Sequence, residues 1–220
     1  MTTITSYDCL DEAVKSKSFS EILRPQSIDD LLLSESTKRK LNEMSQSGNV
    51  MNMIFHGPPG TGKTTCAKLI AKQGKFDYIV LSGSTDFHKS NFFETTRGFS
   101  SSCSLIMRPK LLIVDDAEFV SKKDLFSLRT IIEDRFDTCR FIFTSNKLSI
   151  FDDAFLSRFL EISFDIPLRN YDLMQSFLSA RIKQKLFEIN RSINDRTIDR
   201  IISRNFPCYR KIAHEIEFNF

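Results

Sequence analysis

The sequence lacks the features that mark membrane proteins, secreted proteins and proteins with cysteine-ligated metal sites. No apolar run is long enough to span a membrane, and the first residues, MTTITSYDCL, show no basic and apolar signal segment. The five cysteines are scattered, and their spacing matches no metal site. We therefore expect a cytoplasmic protein with reduced thiols and no membrane partner.

Tryptophan and an excess of one charge are missing as well. The 31 basic and 28 acidic residues leave a formal net charge of +3, so the balance alone does not argue for nucleic-acid binding. Any basic surface has to be local. The chain does contain 21 phenylalanines, and 41% of its residues are hydrophobic. With 220 residues, it can bury the core of one large domain or of one and a half small ones.

Strand-like and helical segments alternate through the middle of the chain. Apolar runs at 51–57, 76–84, 110–116, 139–146 and 159–166 predict strands, and the segments 61–73, 90–101, 123–134 and DDAFLSR predict helices. This alternation favours parallel pairing, and unbroken apolar runs are typical of strands covered on both faces. The sequence therefore predicts an α/β fold with a doubly wound, parallel, five-stranded sheet.

The chain divides by composition into three parts. Residues 1–18 are polar and predict an N-terminal arm, and residues 19–166 hold the alternating core. From residue 167 onward only helical periodicity remains, in the segments 170–189, 194–205 and 207–218. We predict a small three-helix domain over 167–220.

The stretch GPPGTGKTT, at 57–65, fits the pattern G-x-x-x-x-G-K-[ST] between a predicted strand and a predicted helix. In such a loop, backbone N–H groups and the helix N-terminus face the phosphates of a nucleotide. Lys63 then reaches the β and γ oxygens, and Thr64 holds Mg²⁺. A glycine-rich turn without chemical meaning is the alternative, which the flanking strand and helix disfavour. The predicted nucleotide contacts are Gly57, Pro58, Pro59, Gly60, Thr61, Gly62, Lys63, Thr64 and Thr65.

A magnesium-bound nucleotide also requires a carboxylate for the metal and a polar group for the attacking water. LLIVDD places Asp115 at the carboxyl end of a buried strand, where open α/β sheets bind ligands, with Asp116 next to it. We expect Asp115 to hold the metal and Asp116 to activate water. The next strand ends in TSN, so Asn146 is expected to orient the water and to sense the γ-phosphate. Solvated turn residues are the alternative for all three.

Taken in order, these segments resemble those of the AAA+ ATPases, and within them the clamp loaders. GPPGTGKT matches the Walker A loop, LLIVDDAE resembles the Walker B box, and FTSN resembles sensor 1. LSRFLEISF, at 156–164, is similar to the serine-arginine-cysteine segment, with Phe159 in place of the cysteine. NFPCYRKIAHEIE, at 205–217, resembles the sensor 2 helix, most closely that of the ATPase subunits of T-even-type bacteriophage clamp loaders. A P-loop AAA+ core followed by a helical lid is implied.

The resemblance implies an ATPase whose active site is shared between subunits. Arg158 takes the place of the arginine finger, which acts in trans on the neighbour's nucleotide, and Arg210 takes the place of sensor 2. FSEILRP is similar to a segment that passes over the adenine, so Arg24 and Pro25 are implied nucleotide contacts. A surface arginine is the alternative for Arg158, and an ion pair on the lid is the alternative for Arg210.

The same resemblance implies partners. These are other clamp-loader subunits in a nucleotide-dependent hetero- or homo-oligomer, a sliding clamp, and primer-template DNA that stimulates hydrolysis, in a bacterial or phage-infected cell. DNA phosphates would meet the region 84–98, where Lys89, Ser90, Asn91 and Arg97 are available. An ordinary solvated helix face is an equal alternative for this region.

Three departures from the family pattern stand out. The chain ends at Phe220 without the collar domain of clamp loaders, so it is a fragment, assembles by its ATPase faces, or receives a collar from a partner. Leu125 stands where the family has a glutamine, if Arg129 is the arginine of that helix. Asp116 replaces a glutamate and is roughly 1.5 Å shorter. Glu118 compensates only if the alternation of an extended chain breaks.

Three functions are therefore open. The first is an ATP-hydrolysing motor subunit of a clamp loader. The second is a scaffold subunit that binds nucleotide but hydrolyses it poorly, because Asp116 is short. The third is an AAA+ remodeller or helicase loader that does not act on a clamp.

Overall fold

The computed structural model describes residues 18–85, 92–102, 104 and 108–220. The described chain forms two compact units, one of residues 26–165 and one that combines residues 18–25 with residues 166–220. The predicted N-terminal arm, 1–18, lies almost wholly outside the described residues. The first unit carries the sheet, and the second is helical.

The first unit is built on five parallel strands in the order β2-β3-β4-β1-β5. The strands are β1 (Met53–His56), β2 (Asp77–Ser82), β3 (Lys110–Asp115), β4 (Cys139–Ser145) and β5 (Leu160–Ser163). The helices of the described chain are α1 (Phe19–Ile22), α2 (Glu35–Ser47), α3 (Lys63–Gln73), α4 (Phe92–Ser101), α5 (Lys122–Asp134), α6 (Asp153–Leu156), α7 (Tyr171–Glu188), α8 (Asp195–Asn205) and α9 (Tyr209–Phe218). The predicted doubly wound, parallel, five-stranded sheet is confirmed.

Both faces of this sheet are covered. Neighbouring residues of a strand point to opposite sides, so each strand contributes to two buried clusters. One buried cluster holds Met53, Phe55, Leu111, Ile113 and Ile142 together with Ala67 and Ile70 of α3. The other holds Ile54, Leu112, Val114, Phe141 and Phe143 together with Leu128 and Ile132 of α5. The unbroken apolar runs of the sequence follow from burial on both faces.

Helix α2 is absent from the sequence-based prediction. Its composition, ESTKRKLNEMSQS, is polar, and its apolar side is narrow, with Leu41 fully buried. Two local signals were nevertheless present. The Ser34 side chain accepts a hydrogen bond of 3.2 Å from the Thr37 N–H and caps the first turn, and Gly48 ends the helix in the left-handed conformation with φ 70°.

Residues 19–25 were predicted to belong to the α/β core, but they group with the helical unit. The reason is packing between the two ends of that unit. The Phe19 ring is fully buried and meets the Phe220 ring edge-on, with centroids 5.4 Å apart. The Ser18 hydroxyl also donates to Glu217 at 3.1 Å. Helix α1 is therefore joined to α9 and its C-terminal extension.

Helices α7, α8 and α9 form the rest of the helical unit. Their buried residues recur at helical spacing and include Leu178, Ile182, Ile198, Ile202 and Ile212. The side chain of Asn194 accepts from the Arg196 N–H at 2.9 Å and caps α8. Within the described residues, no helix combines the length and the apolar character needed to cross a membrane.

The register of the sheet brings three strand ends together. His56, the last residue of β1, lies opposite Ser145 of β4 and Ser163 of β5. Asp115, the last residue of β3, lies opposite Ser82 of β2. Because all strands are parallel, the segments that follow them meet at one edge of the sheet.

Candidate nucleotide-binding site

The loop between β1 and α3 owes its shape to three glycines. Gly57, Gly60 and Gly62 have φ values of 131°, 76° and 99°, which side chains rarely tolerate. At Gly57 there is also no space, since an added Cβ would lie 3.0 Å from the backbone carbon of Phe164. The loop therefore turns tightly against the end of β5 and leads directly into α3.

Lys63, the first residue of α3, is buried beneath this loop. Its ammonium donates to the carbonyl oxygens of Gly57 at 2.7 Å and Pro58 at 2.8 Å, and to Oδ1 of Asn146 at 2.8 Å. Burial lowers the pKa of this ammonium, and the carboxylates of Glu118 and Asp116 oppose the lowering. The cation is thus fixed where the loop and the end of β4 meet.

The start of α3 also presents backbone donors. Gly62 occupies the N-cap, and no side chain of the described residues caps this helix. The first N–H groups of a helix carry no intrahelical bond and attract anions. Thr61, also predicted as a nucleotide contact, uses its hydroxyl within the loop, where it donates to the carbonyl of Pro58 at 2.9 Å.

Thr64 and Asp115 come together at the carboxyl edge of the sheet. Oγ1 of Thr64 donates to Oδ1 of Asp115 at 2.6 Å, and Oγ1 of Thr144 donates to the same oxygen at 2.5 Å. The carboxylate of Asp115 is therefore held from two sides, by α3 and by β4. Oxygen atoms in such a group are the ligands that Mg²⁺ prefers.

Asp116 does not continue the strand. It adopts the left-handed conformation, with φ 53° and ψ 48°, and begins a short 3₁₀ helix, Ala117–Phe119. Its N–H donates to Oγ1 of Thr144 at 3.2 Å. The alternation of an extended chain, which would have kept Glu118 away from the site, is broken at this residue.

Glu118 consequently returns to the site and contacts Asn146. Its Oε1 atom accepts from Nδ2 of Asn146, and its Oε2 atom accepts from the Asn146 backbone N–H at 3.3 Å. Asn146 in turn accepts from Lys63, as described above. A continuous chain of polar contacts therefore runs from the phosphate loop to the 3₁₀ helix.

These residues fit a magnesium-bound nucleoside triphosphate. The glycines allow the tight turn of the loop, Lys63 supplies a buried cation, and Thr64 and Asp115 supply adjacent oxygens. Asn146 lies beside the cation, directly after β4, the strand next to that of Asp115. The structure thus brings Lys63 and Thr64 of the predicted phosphate loop together with two of the three predicted strand-end residues, Asp115 and Asn146.

Arg158 lies elsewhere. It precedes β5, whose first residue, Leu160, is opposite Met53 at the start of β1. It is therefore at the amino edge of the sheet, and the length of β1, roughly 13 Å, separates this edge from the phosphate loop. Its guanidinium pairs with Glu133 of α5, with an Nε to Oε1 distance of 2.5 Å.

Three predicted nucleotide contacts belong to the helical unit. Arg24 pairs with Glu21 at 2.7 Å, and its carbonyl oxygen accepts from Arg181 at 3.4 Å. Pro25 is buried at the end of this segment. Arg210 is the second residue of α9 and is exposed.

Of the predicted DNA contacts, Lys89, Ser90 and Asn91 lie outside the described residues. Arg97 is exposed on α4 and lines a groove of about 460 Å³ between α4 and α5. The groove carries charges of both signs, since Glu94, Asp134 and Arg135 line it as well. Its electrostatic character alone does not select for phosphate.

Two residues of the site escaped the sequence analysis. Thr144 contacts both Asp115 and Asp116, and its position two residues before Asn146 in FTSN was the available signal. Gly83 follows β2, where its N–H donates to the Asp115 carbonyl at 2.7 Å. A Cβ at Gly83 would lie 2.4 Å from the Asp116 carbonyl oxygen. Gly83 and Asp116 are distant in the sequence, so no local pattern predicts this contact.

The fold and the site together define a P-loop nucleotide-binding protein of the doubly wound AAA+ type. Residues 53–167 match the model of the ATPase family associated with various cellular activities (AAA). The chain belongs to this family.

Several curated proteins are similar to this chain. Replication factor C small subunit 1 of Pyrobaculum islandicum is 33% identical over 144 residues, which cover 63% of this chain and 44% of that protein. The sliding-clamp-loader large subunit of Enterobacteria phage T4 is 26% identical over 201 residues, which cover 88% of this chain and 62% of that protein. The chain thus spans about half the length of such relatives, from 44% to 62% in these two cases.

Among solved structures, the RuvB Holliday junction branch migration motor of Thermotoga maritima has the same fold. It superposes with a TM-score of 0.64 at 22% identity and covers 88% of this chain and 63% of that chain. A form of RuvB from the same organism with one arginine replaced by alanine gives a TM-score of 0.69 at 21% identity, over 87% of this chain and 63% of that chain.

Proposed function

We propose that this chain binds and hydrolyses ATP as a subunit of a DNA sliding-clamp loader that acts in DNA replication. The observation that carries the proposal is the convergence of Lys63, Thr64, Asp115 and Asn146 at one edge of the sheet. The relatives named as replication factor C and sliding-clamp-loader subunits support the choice of clamp loading among the tasks of the AAA family.

In this proposal the loop 57–65 holds the phosphates of ATP. Lys63 exchanges its two carbonyl partners for oxygens of the β- and γ-phosphates, and the N–H groups at the start of α3 face the same oxygens. Thr64 and Asp115 hold Mg²⁺, directly or through its water shell. Bound Mg²⁺ supplies charge neutralisation on the phosphate oxygens as they become more negative.

Two residues are proposed to handle the attacking water. Asp116 follows the metal-binding aspartate and carries the carboxylate assigned to water activation. Asn146 lies next to Lys63 and orients the water. Positioning errors of about 1 Å can cost on the order of 10²-fold in rate. We therefore expect the short side chain of Asp116 to slow the activation of water.

Arg158 is proposed as an arginine finger that acts on a neighbouring subunit. Its place at the amino edge of the sheet, opposite the phosphate loop, argues against a role on the chain's own nucleotide. A guanidinium added to the transition state from a neighbour can raise the rate on the order of 10³-fold. Hydrolysis would then depend on assembly with other clamp-loader subunits.

The remaining assignments follow from the resemblance to clamp loaders. Arg210 would act as sensor 2, and Arg24 and Pro25 would contact the adenosine part of ATP. The sliding clamp and primer-template DNA would be the macromolecular partners. Arg97, exposed on α4, is the described residue proposed to contact DNA phosphates.

The proposal is tested with the purified chain and its candidate partner subunits. We expect ATP binding, and phosphate release that rises when partners and primer-template DNA are added. The Lys63→Ala protein is the control and should lose both. Recovery of the clamp by the chain, in the presence of a non-hydrolysable ATP analogue, checks the proposed target.

A scaffold subunit that binds ATP but hydrolyses it poorly is the second candidate. The observation that favours it is Asp116, which is both shorter than glutamate and turned out of the strand direction. ATP binding without any DNA-stimulated phosphate release would select this candidate. Hydrolysis with no clamp recovered would instead select a remodeller or helicase loader.

A further inference from the structure

The side-chain amide of Asn146 is held at both ends. Its oxygen, Oδ1, accepts from the ammonium of Lys63 at 2.8 Å, and its nitrogen, Nδ2, donates to the carboxylate of Glu118. The backbone N–H of Asn146 donates to the second oxygen of the same carboxylate at 3.3 Å. Glu118 therefore contacts this residue twice.

The chemistry of the two partners decides which way the amide points. An ammonium can only donate hydrogen bonds, and a carboxylate can only accept them. A flipped amide would place its NH₂ group against Lys63 and its oxygen against Glu118, so both contacts would be lost. The orientation with Oδ1 toward the phosphate loop is thus required by the neighbours.

The backbone explains why Glu118, rather than its neighbour, reaches Asn146. Asp116 turns into the left-handed conformation, and the 3₁₀ helix that follows brings Glu118 back to the sheet edge.

We propose that Glu118 is a positioning residue that holds Asn146 with its acceptor oxygen facing the γ-phosphate site. This inference rests on the proposed function. When Lys63 turns to the phosphates, Oδ1 of Asn146 loses that donor and accepts a hydrogen bond from the attacking water. Nδ2 stays with Glu118. Asn146 then orients water as an acceptor, and it does not donate to the γ-phosphate through its amide.

The orientation is tested first without nucleotide, in the intact 220-residue chain. The side-chain amide signals of Asn146 are recorded by ¹H–¹⁵N NMR and assigned by their loss in the Asn146→Ala protein. In the wild type we expect one hydrogen-bonded, shifted Nδ2 proton. In Glu118→Ala this shift should disappear. The control is Glu43→Ala, which removes an exposed glutamate of α2 and should leave the signal unchanged.

The effect on the reaction is tested by a double-mutant cycle under assembly conditions. Glu118→Ala and Asn146→Ala should each lower kcat on the order of 10²-fold, with the KM for ATP nearly constant. The double variant should be no slower than Asn146→Ala, because Glu118 acts through that residue. Glu118→Gln keeps the size and one of the two acceptor oxygens, so it should fall between the wild type and Glu118→Ala.

Two outcomes would overturn the inference. An Asn146 amide signal that is identical in the wild type and in Glu118→Ala would show that Glu118 does not set the orientation. A double variant much slower than either single variant would show that Glu118 acts independently of Asn146, as a direct proton acceptor would. A wild type with no turnover would instead remove the proposed function, while the amide signal still decides whether Glu118 sets the orientation.

Discussion

Oγ1 of Thr64 and Oδ1 of Asp115 lie 2.6 Å apart, so the first turn of α3 and the end of β3 present two oxygens side by side. Thr144 adds a second hydroxyl to the same carboxylate oxygen at 2.5 Å. The arrangement is built from three separate elements of the sheet unit. It gives the proposed metal position a structural definition that can be tested.

Replacing Asp115 by asparagine should remove the dependence of nucleotide affinity on Mg²⁺. The change keeps the size of the side chain and its ability to accept from Thr64, but it removes the negative charge that favours the metal. We expect the affinity for an ATP analogue in EDTA to be nearly unchanged. The gain in affinity on adding Mg²⁺ should be largely lost, as measured by calorimetry.

The matched control for this change is Asp137→Asn, an exposed aspartate just before β4 at the other edge of the sheet. It should behave as the wild type in both buffers. A normal Mg²⁺ effect in the Asp115→Asn protein would contradict the assignment of Asp115 as the metal-side carboxylate.

Gly83 is expected to tolerate no side chain. A Cβ there would lie 2.4 Å from the carbonyl oxygen of Asp116, so the end of β2 or the turn after β3 would have to move. We expect Gly83→Ala to lower the free energy of unfolding by about 1–3 kcal/mol, as overpacking does. It should also lower turnover, because the displaced backbone carries Asp116. Denaturant unfolding and steady-state hydrolysis measure the two effects.

Gly98 provides a control of opposite sign. It lies within α4, and a Cβ there would have no neighbour within 4 Å. Gly98→Ala should therefore raise the free energy of unfolding by about 0.5–1 kcal/mol, because alanine favours the helix. Equal effects at the two glycines would show that contact with the Asp116 carbonyl does not limit residue 83.

The sequence predicted those residues of the candidate site whose positions follow from a local motif or from the ends of parallel strands. The loop 57–65 has its own pattern, and parallel strands bring Asp115 and Asn146 to the same edge without further information. Glu118 depends on the left-handed turn at Asp116, a conformation that is uncommon for residues other than glycine. Sequence alternation alone therefore left its role open.

The same contrast holds for the fold. The five strands could be predicted because burial on both faces leaves unbroken apolar runs. The grouping of residues 19–25 with the helical unit depends on Phe19 meeting Phe220, a contact between distant parts of the chain. Helix α2 depends on its caps and on a narrow apolar side, and the average composition of this polar segment does not indicate either feature.

Cys139 should make the protein less stable at alkaline pH. Burial raises the pKa of its thiol to about 12, from an ordinary value of 9.0. Above pH 9.0 the unfolded thiol therefore loses its proton while the folded thiol keeps it. The free energy of unfolding should fall with rising pH in this window, by up to about 1.4 kcal/mol per pH unit.

The comparison that isolates this effect is Cys139→Ala, measured by denaturant unfolding across the same window. The variant will be less stable overall, because it leaves space in the core. Its stability should nevertheless fall less steeply with pH than that of the wild type. Identical slopes would mean that the Cys139 thiol ionises as easily in the folded protein as in the unfolded chain.

Arg158 should be needed by the neighbouring subunit and not by its own. In Arg158→Ala we expect nearly normal ATP binding by the isolated chain and loss of the hydrolysis that depends on assembly. Glu133→Ala frees the guanidinium from its ion pair, so it should leave stimulated hydrolysis intact or raise it, by about fivefold at most, since an exposed pair contributes up to about 1 kcal/mol.

Mixing two inactive variants gives the sharpest test of action in trans. Arg158→Ala subunits retain a complete phosphate loop, and Lys63→Ala subunits retain the arginine. In assemblies where two copies are adjacent, the mixture should recover part of the hydrolysis that neither variant shows alone, because one subunit supplies the site and the other supplies the guanidinium. If Arg158 acted on the nucleotide of its own chain, every subunit in the mixture would lack an essential group, and no activity would return.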